Sequence, residues 1–409
     1  MSETFTADAP LEIAMGGRAL LTPLTGIGQY ASHLAREFVE RGHSLRLFYG
    51  THWSSTIAGG QAQAQSTAAS AASGAPLAGA SVRTSFAGAV KRFARAYVPG
   101  VYRFMPHVEQ YRFDSGLRRQ RTPQVYHDPN FIPFRFRGPT VTTVHDVSWV
   151  RHPECHPAHR LAHLRANFPR ALRHADRVIV VSEFVKQELM ACFPVDESRI
   201  DVVYNGVTER FRPHTRAETA DVLARYDLTH GGYFAAVGTL EPRKNLQTAL
   251  AAHLRLPQAV RRTMPLALIG VEGWLTDSLH AALSASLADG TVRKLGYVSD
   301  DDIPALTAGA RAIVYPSIYE GFGLPVLEAM ASGVPALCST APALREVAGP
   351  AALFCEPADV EGFTEAMREL IDDDALCARL GAAGAERARR FSWSRTATET
   401  LAVYRKVVN

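Results

Sequence analysis

Short apolar runs rich in valine and isoleucine alternate with helical stretches along almost the whole chain, and no other feature restricts the fold as strongly. That alternation is the pattern of parallel sheets covered by helices on both faces, because strands buried on two sides read as continuous apolar segments. The first half offers strands at 11–15, 45–49, 125–127, 141–144, 178–181 and 200–203. The second half offers them at 233–237, 266–269, 294–295, 312–315, 336–339 and 352–354. Each half holds enough strands for its own doubly wound sheet, and 409 residues exceed one ordinary core. The expected class is therefore α/β with two domains, 1–206 and 207–390, divided at the turn Tyr204-Asn205-Gly206-Val207. A terminal helix within 391–409 is free to pack back on the first domain.

Two segments break the alternation. Residues 57–88 are dominated by Ala, Gln, Ser and Gly and lack the large apolar side chains a core needs, which reads as a flexible surface insertion. Residues 91–121 carry eight basic and two acidic residues, with Phe93, Tyr97, Tyr102, Phe104, Tyr111 and Phe113 interleaved. Two readings stand for this segment: a helical hairpin packing its aromatics on the sheet, or a face set against anionic lipid or a lipid-linked acceptor. No nucleic-acid reading module accompanies the charge, so nucleic acid is not an expected partner.

Charge is unevenly spread. Residues 1–205 carry 23 Lys/Arg against 16 Asp/Glu, and the remainder 21 against 24. The first residues lack the basic-then-apolar order of a secretory signal, and no apolar run is long enough to cross a bilayer. Cys155, Cys192, Cys338, Cys355 and Cys377 are odd in number with no metal-like spacing, which fits reduced packing residues. The expected location is the cytoplasm, with peripheral contact at the cytoplasmic face of the membrane left open.

The segment 314–333 carries the most chemistry. A strand ending near Tyr315 is followed by a loop with Glu320, Gly321, Phe322 and Gly323, and then by a helix from about Leu324. Pro325 suits the first helical turn and Gly333 the stop. Loop amides and a helix amino terminus together form an anion site, and Gly321 and Gly323 let the backbone approach a ligand. Glu320 before that site and Glu328 one turn inside the helix would grip hydroxyls on either side of a phosphate. Read singly, Glu328 is a solvated helical residue and Glu320 a cap.

Three further strand ends matter. Gly238-Thr239-Leu240-Glu241-Pro242-Arg243-Lys244 places two bases at a helix start, which is unfavourable unless an anion compensates them. Gly26 to Ala31 fits G-x-G-x-x-A, the fingerprint of a dinucleotide-binding dehydrogenase. Its context is wrong, since ten residues separate Met15 from Gly26 and the second strand ends without an acid to hold a ribose. His145 and Asp146 fall at the end of the strand 141–144, where open α/β sheets bind ligands. Asp146 reads as an orienting or capping residue. His127 and Asn130, after the preceding strand, are candidates for lining an acceptor pocket.

These segments resemble the retaining glycosyltransferases of family 4, with the E-x7-E signature at Glu320 and Glu328. The likeness runs from about Gly26 to Gly349, with 57–88 outside it, and the stretch Gly238–Leu246 most resembles bacterial mannosyltransferases of surface-polysaccharide (O-antigen or exopolysaccharide) assembly. It implies the GT-B architecture, two facing Rossmann-like domains with a cleft between them. It implies that Glu320 contacts donor-sugar hydroxyls, that the amides of Gly321, Phe322, Gly323 and Leu324 serve sugar and phosphate, and that Glu328 binds the ribose. Lys244 stands at the family's pyrophosphate lysine. A basic residue usual after the strand glycine is replaced by Thr239, leaving Arg243 to substitute. Gly26 and Gly28 would reach towards donor phosphate, and His145 would stand near the reacting carbon.

The reaction implied is transfer of a hexose, mannose from GDP-mannose by analogy, to a hydroxyl of a glycan or lipid-linked acceptor. No metal or other cofactor is expected, because no D-x-D segment falls at an active-site strand end. Other readings are a different GT-B enzyme such as a sugar-nucleotide epimerase or a UDP-sugar transferase, and a non-catalytic nucleotide-sugar-binding scaffold. His145 and Glu320 fall in different domains of this division, so closure of the pair on substrate is expected. Alanine at Glu320 or Lys244 is expected to abolish transfer and leave the fold intact.

Overall fold

The computed structural model describes residues 9–21, 26–58, 101–118, 122–274, 283–284 and 286–408. The low-complexity stretch 57–88 lies outside them from residue 59 onward, as do 91–100 and 119–121 of the basic aromatic segment.

The alternating apolar runs form two sheets. The first contains β1 (Glu12–Gly16), β2 (Ser44–Phe48), β3 (Trp53–Ser54), β4 (Val125–Asp128), β5 (Thr140–Val144), β6 (Arg177–Val180) and β7 (Ile200–Val202), in the order β3-β2-β1-β4-β5-β6-β7. The second contains β8 (Phe234–Val237), β9 (Leu266–Ile269), β10 (Val292–Gly296), β11 (Ala312–Tyr315), β12 (Ala336–Ser339) and β13 (Leu353–Cys355), in the order β10-β9-β8-β11-β12-β13. Its strand pairs are all parallel, whereas β3 adds an antiparallel edge to the first. In each sheet the order reverses once, at β1/β4 and at β8/β11. Ligands of open α/β sheets bind at the carboxyl ends of strands flanking such a reversal.

Among the helices are α1 (Gly26–Glu40), α2 (Val101–Arg118), α3 (Ala158–His174), α4 (Glu183–Cys192), α5 (Leu246–Leu254), α6 (Leu324–Ala331), α7 (Val360–Asp372), α8 (Asp374–Ala388) and α9 (Trp393–Val408). Strand period explains how they cover both faces. Phe234 and Ala236 of β8 enter one core with Leu250, Phe363 and Met367, while Tyr233 and Ala235 enter another with Ile269, Leu306 and Ile313. No described helix is long and apolar enough to cross a membrane.

By packing, the chain divides into one compact unit of residues 1–129 and 133–140 and a second of 130–132 and 141–409. In the first, Phe113 of α2 is fully buried, with its ring 5.2 Å from Phe48, 4.9 Å from Tyr126 and 5.2 Å from Phe134. Tyr111 of the same helix is 70% exposed. Of the aromatics in this segment whose side chains are described, one is therefore in the core and one at the surface. In the second unit, α9 follows an isolated bridge between Val207 and Ser392 and lies against β6 and β7. Thr396 donates to the Tyr204 carbonyl at 2.7 Å, and Lys406 pairs with Asp201 at 2.6 Å.

Candidate active site at the ends of β8 and β11

The two loops that leave β8 and β11 are joined before any side-chain chemistry begins. The Ile318 amide donates to the Arg243 carbonyl at 2.9 Å. Asn245, in the left-handed region at φ 52°, ends the short turn Pro242–Lys244 and starts α5. Its side-chain amide donates to the carbonyls of Pro316 and Pro357 at 3.0 and 2.7 Å. This stapling fixes where the next two side chains point.

Lys244 Nζ donates to Glu320 Oε1 at 2.7 Å and to the Tyr315 hydroxyl at 2.5 Å. Arg243 spreads its guanidinium over Glu241 at 2.6 Å, Glu320 at 3.1 Å and the Tyr319 carbonyl at 2.7 Å. The two bases that looked misplaced in the sequence are thus compensated by the chain's own carboxylates. Burial alone would push the Glu320 carboxyl up, but Lys244 and Arg243 outweigh it and hold the group at about 2. Arg243 is affected oppositely. Burial disfavours its charge, and Glu320, Asp146 and Glu241 together drive its pKa well above the ordinary value.

Asp146 belongs to the same cluster. Burial opposes its ionisation, yet Arg243 and the hydrogen bonds from Ser148 bring its pKa below the usual range. Its Oδ1 accepts from the Ser148 amide at 2.9 Å and the Ser148 hydroxyl at 2.7 Å. That hydroxyl also meets His156 Nε2 at 3.0 Å. A hydroxyl has one proton, which the carboxylate takes, so His156 must donate from Nε2 and carry its lone pair on Nδ1. Burial, then the Arg160 charge, lowers the His156 pKa to about 4, consistent with that neutral tautomer.

The glycine loop closes the site. A Cβ on Gly321 would lie 1.8 Å from the His145 carbonyl oxygen, so only glycine permits this approach. The Gly321 carbonyl accepts from Ser182 Oγ at 2.7 Å. Gly323 takes φ 102° at the amino-terminal cap of α6, with Pro325 in the first turn. Phe322 is buried against Tyr204 and Phe391, at 6.3 and 5.9 Å, which leaves its backbone rather than its ring for a ligand. Leu324 is the first residue of α6.

Glu328 is half-buried one turn into α6 and has no hydrogen-bonding or ionic partner among the described residues. Burial, with a smaller contribution from Asp300, raises its pKa to about 7. A carboxylate in that condition is a ready acceptor for hydroxyl groups.

The remaining predicted residues distribute as follows. His145 is half-buried, with its ring edge-on to Phe131 at 5.9 Å, so Asn130 adjoins a residue that touches it. His145 and Gly321, whose backbones approach closely, both lie in the second compact unit. Gly26 is the first residue of α1, Gly28 is buried in it, and His127 is fully buried edge-on to Tyr30 at 6.5 Å. These three lie in the other unit. No group of described His, Cys, Asp and Glu side chains is arranged to hold a metal ion.

Sequence reasoning passed over Tyr315, Glu241, Ser148, His156 and Ser182. Tyr315 was findable as the last residue of a strand entering the loop. The Ser182 contact spans 139 positions and leaves no local signal.

Two family descriptions match the chain, "Glycosyltransferase Family 4" over residues 24–211 and "Glycosyl transferases group 1" over 229–387. The chain is 34% identical over 407 residues to O-antigen chain mannosyltransferase B of Escherichia coli, covering 97% of this chain and all of that one. It is a family 4 glycosyltransferase. Solved structures agree on the fold of this glycosyltransferase. Sucrose-phosphate synthase from Thermosynechococcus elongatus superposes with a TM-score of 0.71 at 18% identity, over 96% of this chain and 98% of the other. HepE of Anabaena, in complex with UDP-glucose, gives 0.68 at 17% identity, over 96% and 99%. The architecture is GT-B.

Proposed function

We propose that this glycosyltransferase moves mannose from GDP-mannose to a hydroxyl of a glycan or lipid-linked acceptor in cell-surface polysaccharide assembly, with retention of anomeric configuration. The observation that carries the site is the buried Lys244–Glu320 pair beside the amino terminus of α6, with the unpartnered Glu328 one turn further on. Similarity to the O-antigen mannosyltransferase supports mannose and polysaccharide. The reading places the protein in the cytoplasm, at the inner membrane surface where a lipid-linked acceptor would be met.

In this reading the cluster rearranges when donor enters. Two cations, Arg243 and Lys244, face three carboxylates, Asp146, Glu241 and Glu320. A diphosphate therefore binds only if Lys244 turns its ammonium from Glu320 to phosphate, and Glu320, so released, accepts from sugar hydroxyls. Arg243, committed to three oxygens of the chain, positions Glu320 rather than reaching for phosphate. Charge developing on the leaving group meets Lys244, the amides at Gly323–Leu324 and the positive end of α6, with no metal in the scheme. Glu328 takes the ribose hydroxyls. His145 stands near the anomeric carbon, on the acceptor's side.

Thermal shifts with GDP, GDP-mannose, UDP and UDP-glucose test the donor, followed by detection of released nucleotide and of the product anomer by NMR. Stabilisation of about 2.7 kcal/mol is expected when GDP-mannose is present at a hundred times its dissociation constant. Response to UDP-glucose alone would replace the donor and keep the site; HepE, bound to UDP-glucose on the same fold, makes this the second reading. No response to any nucleotide would remove the site assignment.

A further inference from the structure

Away from this site, α3 carries Arg160, Arg165, Arg170 and Arg173 with His159, His163 and His174, and not one acid in its length. Leu164, Phe168, Ala171 and Leu172 bury one side of the helix. On the opposite side His159, Ala162, His163, Arg165, Ala166, Arg170, Arg173 and His174 are all exposed. At 100° per residue they share about half of the helix circumference. Arg160 is engaged with the Trp274 ring at 5.4 Å, and bases on neighbouring elements are neutralised, Arg151 by Glu188, Arg177 by Asp201 and Lys186 by Glu197. Arg165, Arg170 and Arg173 have no carboxylate partner among the described residues.

This cationic face meets a cavity. Trp149, Val150, Arg165, Pro169, Cys192 and Phe193 line an open depression of about 250 Å³, with Arg165 common to both features. Trp149 is only 4% exposed, and its buried indole N–H has no acceptor among the described residues. Val150 at the cavity and Met190 two residues before Cys192 are exposed apolar side chains, at 36% and 38%.

We infer that α3 and this cavity form a docking site for an anionic phospholipid surface. Headgroup phosphates lie against Arg165, Arg170 and Arg173. A stretch of acyl chain lies against Val150, Pro169 and Phe193, with the Trp149 ring beneath it. A nucleic acid would satisfy the arginines but has no use for the exposed apolar side chains Val150 and Met190 beside them. The inference rests on the lipid-linked acceptor reading for its purpose. Its evidence and its test involve no sugar transfer, so the two can fail separately.

Co-sedimentation of the full chain with phosphatidylcholine vesicles, with and without phosphatidylglycerol, is the direct measurement. Binding is expected only with phosphatidylglycerol and should weaken as salt rises. The R165Q/R170Q/R173Q variant should lose about a hundredfold in partitioning, roughly fivefold for each arginine. These side chains are exposed, so circular dichroism and Tm should match the parent. Phosphatidylglycerol with brominated chains should quench tryptophan fluorescence in the parent and much less in Trp149→Phe. Equal binding by the triple variant, equal binding to neutral vesicles, or tighter binding to a single-stranded RNA than to vesicles would each overturn the assignment.

Discussion

Glu328 and Lys244 show how a residue built for a ligand burdens the chain that carries it. The Glu328 carboxyl titrates near 7 in the fold and near 4.5 when unfolded. Between those values the unfolded chain has released a proton that the folded chain keeps, so stability falls as pH rises through that window and the full cost stands above it. Glu328→Gln should therefore raise Tm at pH 8, through roughly 1–3 kcal/mol, and leave it unchanged at pH 4. The same variant should bind nucleotide sugar more weakly; a gain in affinity would contradict the ribose role. For the ion cluster, charge counting ranks two variants. Glu320→Gln leaves two cations against two carboxylates, whereas Lys244→Gln leaves one against three. Both should abolish transfer, and Lys244→Gln should cost more stability at pH 7, on the order of 3 kcal/mol. In the parent, stability contributed by the depressed Glu320 carboxyl is present above pH 4.5 and lost towards pH 2. The deficit of Lys244→Gln should accordingly narrow on acidification, in denaturation curves at pH 7 and pH 4. The expectation that alanine at either position leaves the fold untouched needs this amendment, because both side chains sit inside a buried network.

At the scale of elements, α4 shows one part of the second unit held by another. Its cap Ser182 accepts from the Val185 amide at 3.1 Å while donating to Gly321. Its first two amides donate to the Glu346 carboxylate, at 2.7 and 3.0 Å. A helix amino terminus that could have served an anion is thus satisfied by a glutamate from beyond β12. Glu346→Ala should cost about 1–2 kcal/mol, measured by urea denaturation. Because the same contacts bear on the loop behind Gly321, nucleotide binding should weaken in that variant too; unaltered stability and binding would show the cap to be incidental. By contrast, α6 announced itself in sequence, since Gly323, Pro325 and Gly333 sit where a cap, a first turn and a stop require them.

At the scale of the molecule, the strand runs were legible because burial on both faces demands unbroken apolar residues, and each expected strand appears. The order of those strands was not. Nothing in the composition of β8 or β11 says that they are neighbours, yet that adjacency brings Lys244 to Glu320 across 76 positions. The sequence supplied the chemistry of each loop: the bases after β8, the acids and glycines after β11, the histidine after β5. Such features are local, set by backbone conformation and by what a helix end tolerates.

Only the tertiary structure decided the pairings. It gave Arg243 to the chain's own carboxylates, left Glu328 without a partner among the described residues, tied Asp146 through Ser148 to His156, and set Arg165 of α3 beside an open depression. Pairing energies depend on distance and burial, and those are properties of the assembled sheets rather than of neighbouring residues along the chain.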